Sequence, residues 1–298
     1  MATASWSTRV RHDSDATYQE WRDEFITKLG TLSAKLTASD TNITPAAGAR
    51  PGTSTEGGYA VYYLNDSIHA TSPCYIRFGF GTAAVATHPR IQMTVGTTTN
   101  GSGVLGGTCL STIDVINGGA AQTTDTVRQS YFCATDGFLG ISWKNGAGVS
   151  EGSAFVCRTV STAAAISTTG ALAVWGASSS SALNRTQAFR YIATAAAYTA
   201  RTGTQSQMAL CISPQSPTSS IIGTDIQAFV AWTMTPAAAP VIGVCGIVSG
   251  EIATGTTFTA TLVGSTSHTY IKLSDIAGPF GPGTIATAGQ PGAAMLWE

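Results

Sequence analysis

The chain has 298 residues, enough for one large domain or two ordinary ones and for a sizeable core without disulfide or metal staples. Charged side chains make up only 10% of it, and 15 basic against 16 acidic residues leave a net charge of −1. That balance argues against a nucleic-acid footprint, which needs a basic face, and against a polybasic membrane patch.

With so few charges, the surface must be covered largely by Thr, Ser, Ala and Gly, the last numbering 33. A neutral surface of this kind resists self-association poorly. A subunit whose faces are covered by neighbouring subunits tolerates that, so the composition points to a structural component. No apolar run of about 18 residues occurs, and no transmembrane helix is expected. The stretch MATASWSTRVRHDSDATYQEW has no apolar segment, so no secretory leader is expected.

One helix is predicted, near the N-terminus. SDATYQEWRDEFITKLGTL places Tyr18, Trp21, Phe25, Leu29 and Leu32 at spacings of three, four, four and three, a single apolar stripe on a helical period. Asp15 or Thr17 can cap it, Thr17 with Glu20 has capping-box spacing, and Gly30 marks its end. Glu24 and Lys28 form an i,i+4 pair on another face. The stripe has two destinations: the helix's own domain, or a neighbouring subunit. In the second case Tyr18, Trp21, Phe25 and Leu29 are the candidate assembly contact. Residues 37–57, TASDTNITPAAGARPGTSTEG, have no period and many breakers, and read as a linker or extended arm. The chain therefore divides into residues 1–57, helix plus arm, and residues 58–298, a β-rich body.

From there the period becomes two. In PCYIRFGF, Cys74, Ile76, Phe78 and Phe80 share one face; in RIQMTVG, Ile91, Met93 and Val95 do. DIQAFVAWTM aligns Ile226, Ala228, Val230, Trp232 and Met234, and TFTATLV aligns Phe258, Ala260 and Leu262. Further predicted strands are GYAVYYL, SYFCATD, GFLGISWK, SAFVCRTV, GALAVWG, TQAFRYIAT, MALCIS and HTYIKLSD. The pattern is weakest at 176–186, where two sheet systems could divide. The expected fold is mainly β: an antiparallel sandwich or jelly-roll-like body with one N-terminal amphipathic helix.

The six cysteines, Cys74, Cys109, Cys133, Cys157, Cys211 and Cys245, stand 24 to 54 residues apart with no Cys-x-x-Cys. Most sit in apolar strand patterns, which favours buried thiols acting as small hydrophobes. Disulfides within or between subunits are the other reading, and the spacing does not choose a pairing.

YLNDSIHATSPCY concentrates the residue types of nucleophilic hydrolases: Asp66, Ser67, His69 and Cys74. A catalytic relay needs its members held by separate rigid elements, and these are packed into one turn in which Ser67 is not framed as a Gly-x-Ser-x-Gly elbow. Asn65-Asp66-Ser67 suits an Asx-turn or a helix cap at a strand-to-strand corner. The four histidines, His12, His69, His88 and His268, show no metal-site spacing. His12, Asp13 and Asp15 lead into the helix, where capping explains the acids. The acids are too scattered to nominate a glycosidase pair. TVGTTTNGSGVLGG, residues 94–107, lacks the Lys-[Ser/Thr] ending of a phosphate loop and reads as a mobile hairpin or long loop. Tyr62, Tyr63 and Tyr75 are candidates for stacking on glycans, against sheet packing as the plainer role. No catalytic, metal or cofactor residue is nominated, and no cofactor is expected.

The order of elements in the first hundred or so residues resembles a family of tailed-bacteriophage virion structural proteins. The matching parts are the DATYQEWRDEFITKLGTL helix, a Pro/Gly-containing connector, GYAVYYLNDSIHATSPCYIRFGFG and HPRIQMTVGTTTNGSGVL, with FVCRTV as a looser match. The resemblance covers about residues 13–110; it rests on the order of the motifs. Cys74, Cys133 and Cys157 depart from it. It implies a non-enzymatic subunit of a tail, baseplate, neck or collar, assembled in the host cytoplasm and resident in the virion. Its expected partners are copies of itself and other virion proteins, with no nucleic acid or membrane. The second expectation is a receptor- or glycan-binding module on the same particle, facing host-surface glycan. The third is a hydrolase of host envelope polymers.

Overall fold

The apolar stripe of the N-terminal helix finds partners inside its own chain. The computed structural model describes residues 2–9, 15–33, 36–42, 56–82, 89–107, 110–117, 127–144, 151–158, 172–179, 185–192, 201–203, 208–210, 226–231, 241–248, 252–253, 255–260, 268–272 and 292–297, some of these strands by backbone course alone. These residues form one helix and four antiparallel sheets and are mostly in strands. Among them no helix is long and apolar enough to cross a membrane. The chain falls into two units: Met1–Phe155 with Val174–Gln187, and Val156–Ala173 with Ala188–Glu298.

The first unit opens with β1 (Ala2–Arg9) and α1 (Asp15–Gly30). Five strands form its central sheet: β2 (Leu36–Asn42), β3 (Glu56–Leu64), β4 (Tyr75–Thr82), β5 (Pro89–Gly96) and β8 (Leu110–Asn117), in that spatial order. Between β5 and β8, β6 (Thr98–Thr99) and β7 (Leu105–Gly106) form a small hairpin. The strands β9 (Val127–Thr135) and β10 (Phe138–Lys144) pair with each other, and β1 pairs with β9 from Ala2↔Ala134 to Arg9↔Val127. Asp136-Gly137 is the two-residue loop of the β9–β10 hairpin. Gly137 there takes φ 72, the left-handed conformation that such a turn demands.

The expected alternation of β4 and β5 is realised. Cys74, Ile76, Phe78, Phe80, Ile91, Met93 and Val95 are all 0% exposed, and register sets Ile76 against Val95 and Phe78 against Met93. Phe25, Leu29 and Leu32 of the helix segment are equally buried. The Phe25 ring meets Phe78, Phe80 and Phe132 edge-on, with centroids 5.5, 6.0 and 5.5 Å away. The helix thus ties β4 of the central sheet to β9 of the other.

Residues 1–57 contribute more than a helix and an arm. Leu36–Asn42, which lies in the stretch read as a linker from residue 37 on, pairs antiparallel with β3. Residues 2–9, to which no element was assigned, pair along the whole of β1. Neither segment has an apolar alternation to announce it; the partner strand supplies the ladder.

Next in the chain come β11 (Glu151–Arg158), β12 (Leu172–Ser179), β13 (Arg185–Ile192) and β14 (Arg201–Gly203). In the second unit, β15 (Met208–Leu210), β16 (Ile226–Ala231), β17 (Val241–Val248), β18 (Thr257–Ala260), β19 (His268–Lys272) and β20 (Gly292–Leu296) form a six-stranded sheet in the order β15-β16-β17-β20-β19-β18. Phe258 and Tyr270 stack there at 5.9 Å. Lys272 is 0% exposed, and its ammonium donates to the Ile252 carbonyl at 2.7 Å. The side chains of Ile226, Ala228, Val230, Trp232, Met234 and Leu262 lie outside the described residues, as does 180–184 of the weak 176–186 region.

Candidate functional site

The corner between β3 and β4 is built by backbone turns. The Ile68 N–H donates to Asp66 Oδ1 at 3.2 Å, an Asx-turn, and the His69 N–H donates to the Asp66 carbonyl at 3.3 Å. The Ile68 carbonyl then accepts from the N–H groups of Thr71 and Ser72 at 3.1 and 2.8 Å. The Thr71 hydroxyl donates to the same carbonyl at 3.1 Å. Leu64 N–H to the Cys74 carbonyl, 3.1 Å, closes the corner.

This construction disperses the hydrolase-like residue types. Cys74 is buried on the core face with Ile76 and Phe78, while Ser67 is exposed at the turn. His69 sits on the opposite, outer face, stacked on Tyr63 at 4.3 Å and 27°, with Tyr75 edge-on at 5.6 Å. Tyr63 and Tyr75 are register partners with rings 6.1 Å apart. All three are half-buried.

The three candidate glycan tyrosines therefore separate. Tyr62 points the other way, packs edge-on against Phe78 at 6.1 Å and is 5% exposed. Burial pushes its phenol up to about 12. Tyr63 and Tyr75 remain on the outer face and gain His69 as a third ring, a role distinct from the nucleophile's partner or metal ligand that its residue type suggests.

Farther along the same outer face lies a polar group that sequence reading missed. The Arg77 guanidinium stands 5.1 Å from the Tyr59 ring centroid, and its Nε donates to the Gly103 carbonyl at 2.7 Å. Asp40 Oδ2 accepts the Gly103 N–H at 2.5 Å, and Asp40 Oδ1 accepts the Thr99 hydroxyl at 3.3 Å. Asn100 Oδ1 accepts from the N–H groups of Ser102 and Val104 at 2.8 and 3.1 Å. Of residues 94–107, read as a mobile hairpin or long loop, 94–96 end β5 and 97–107 form a hairpin laid onto the sheet. The Asn100-Gly101-Ser102-Gly103 run was the available signal for a tight turn; nothing local marked Asp40 as its anchor.

Comparison of the chain with protein-family models, with curated proteins and with solved structures gives no match.

Of the candidate assembly residues, Phe25 and Leu29 are fully buried in the first unit. A subunit contact through these two would require the helix to leave that core. The Tyr18 and Trp21 side chains lie outside the described residues. Cys74, Cys133 and Cys157 are buried reduced thiols, and burial pushes Cys133 up to about 12. The side chains of Cys109, Cys211 and Cys245 lie outside the described residues. Among the described residues, no three His, Cys, Asp or Glu side chains are placed to hold a metal ion.

Proposed function

We propose that the chain is a structural subunit of a tailed-phage virion, a tail, baseplate, neck or collar component that works by self-assembly and docking, without catalysis. One observation supports this reading: the helix and the β3, β4 and β5 strands, which carry the main part of the resemblance, fold together in the first unit. The α1 helix packs through Phe25 on β4, and β3, the Asp66–Pro73 corner, β4 and β5 follow as neighbouring antiparallel strands. Motifs whose order alone matters in sequence thus share one core. In the same reading the layers of the first unit, central sheet, helix and β1–β9–β10, belong to a sandwich or jelly-roll-like body. The full chain at micromolar concentration should form a discrete, symmetric oligomer by light scattering and particle imaging. A monomer across the whole concentration range overturns the self-assembly reading.

A second reading, a receptor- or glycan-binding module on the same particle, is favoured by the Tyr63–His69–Tyr75 cluster. Aromatic faces flanked by the exposed Asn65 and Ser67 offer stacking and hydrogen bonding to a sugar ring. Tyr63→Ala should then abolish binding to host cell-wall glycans while leaving the oligomer intact. No binding by the unmodified chain across a broad glycan panel eliminates this reading.

A further inference from the structure

Asp40 on β2, Val61 on β3 and Arg77 on β4 are register partners in one row across the outer face. Strand spacing puts the Asp40 and Arg77 backbones roughly 10 Å apart. Gly103 spans that gap, donating its N–H to Asp40 and accepting from Arg77 Nε through its carbonyl. Val61 stands between the two charged anchors and is 0% exposed although it is on the outer face. The approach requires glycine: Gly103 has φ +77, and a Cβ there would lie 2.5 Å from the Tyr59 ring.

The hairpin's own ladder is short. Its ladder consists of Thr98↔Gly106 and Thr99↔Leu105, extended by Thr97 N–H to the Gly106 carbonyl and Asn100 N–H to the Val104 carbonyl. An isolated two-stranded ladder is marginal in water at best. The strands beneath are of another kind, with β4 and β5 paired from Tyr75↔Gly96 to Thr82↔Pro89 over a buried apolar face. The hydrogen bonds described between the hairpin and distant residues reach Gly103 and the Thr99 hydroxyl and come from two oppositely charged side chains, Asp40 and Arg77.

We propose that residues 97–107 are a strap, latched over Tyr59 and Val61 by Asp40 and Arg77, that opens while the sheet beneath stays folded. Opening uncovers Tyr59, Val61 and the Arg77 guanidinium together. The strap is independent of the virion reading and stands or falls on its own measurement.

Hydrogen exchange followed by mass spectrometry on the full chain tests it. Asp40→Ala should speed exchange in peptides within 97–107 by roughly ten- to hundredfold, as loss of a hydrogen bond to a charged group implies. Exchange within 74–82 and 91–95 should stay unchanged. Gly103→Ala should have the same regional effect. If 97–107 is unaffected, or if it accelerates together with 91–95, there is no separable strap. The unmodified chain gives a second test that needs no variant. Over a series of low urea concentrations, 97–107 should open with a smaller urea dependence than 91–95; a common opening curve for the two overturns the proposal.

Discussion

Phe25→Ala should destabilise the first unit by about 4–5 kcal/mol. Truncating a buried Phe costs about 3–5 kcal/mol through lost transfer energy and the cavity left behind. Phe25 belongs at the upper end because it is 0% exposed and meets three aromatic rings edge-on, at 5.5, 6.0 and 5.5 Å. Each such pair is worth about 0.5–1.5 kcal/mol beyond area burial. A loss of this size is a large part of the roughly 5–15 kcal/mol that holds an ordinary domain. Phe25→Leu keeps most of the volume and loses the ring contacts, so about 1–2 kcal/mol is expected. Because the chain has two units, the clean assay is native-state hydrogen exchange read from peptides of β4 and β9, with urea unfolding by circular dichroism as a control. A loss below about 1 kcal/mol for Phe25→Ala, with β4 and β9 still protected, would refute the packing argument. A variant that kept its stability and lost only its oligomer would return Phe25 to the role of a subunit contact.

Arg22 is 1% exposed, held by Asp23 at 2.8 Å, and its Nη1 has no hydrogen-bond partner. Arg22→Met, which keeps the bulk and removes the buried charge, should change unfolding free energy by less than about 1 kcal/mol or raise it; a loss above about 3 kcal/mol would mean the guanidinium is better paired than its contacts indicate. Burial holds Tyr62 and Cys133 neutral, pushing them from 10.0 and 9.0 up to about 12. The unfolded chain therefore loses these protons first. Their contribution is complete below pH 9, and it is lost as pH rises through 12. Tyr62 accounts for about 2–3 kcal/mol of it, so Tyr62→Phe should flatten the upper part of an alkaline denaturation series. The Cys133 thiol should react with iodoacetamide at mildly alkaline pH only as fast as its strand opens. Gly137→Ala, at φ 72, should cost about 1–2 kcal/mol in urea unfolding, and no cost would place the β9–β10 turn in another conformation.

What the sequence made legible was whatever a single segment decides. The stripe of α1 and the alternation of β4 and β5 follow from local periodicity, and Phe25, Leu29, Phe78, Phe80, Ile91 and Met93 are buried as that periodicity requires. The Asx-turn at Asp66 was legible for the same reason, since a side chain two residues from an N–H needs no distant partner. What escaped was decided between segments. The polar sequence ATASWSTR becomes a strand through its ladder with β9, and LTASDTN through its ladder with β3. The Gly103 bridge joins positions 63 and 26 residues away, and no window on the sequence spans both. The Tyr63–His69–Tyr75 cluster was half legible: two of the three candidate tyrosines belong to it, and strand parity alone separates Tyr62 from them.

The fate of the charges sharpens the self-assembly proposal. Of 15 basic residues, Arg22, Arg158 and Lys272 are buried to 1%, 1% and 0% exposure, and Arg77 is half-buried under the strap. In a chain that is only 10% charged, these withdrawals leave the surface with fewer cations to pair with its acids than the composition implies. Contacts between copies would then be made by hydroxyl, amide and methyl groups, with few ion pairs. Such an oligomer should be nearly indifferent to salt: between about 0.01 and 1 M the screening length falls from roughly 30 to 3 Å, enough to weaken any assembly held by surface charge. Sedimentation across that range should give one unchanged oligomer, or a tighter one where apolar contact dominates. Dissociation on adding salt would show that charge pairs hold the copies together, and the neutral-surface argument for assembly would have to be given up.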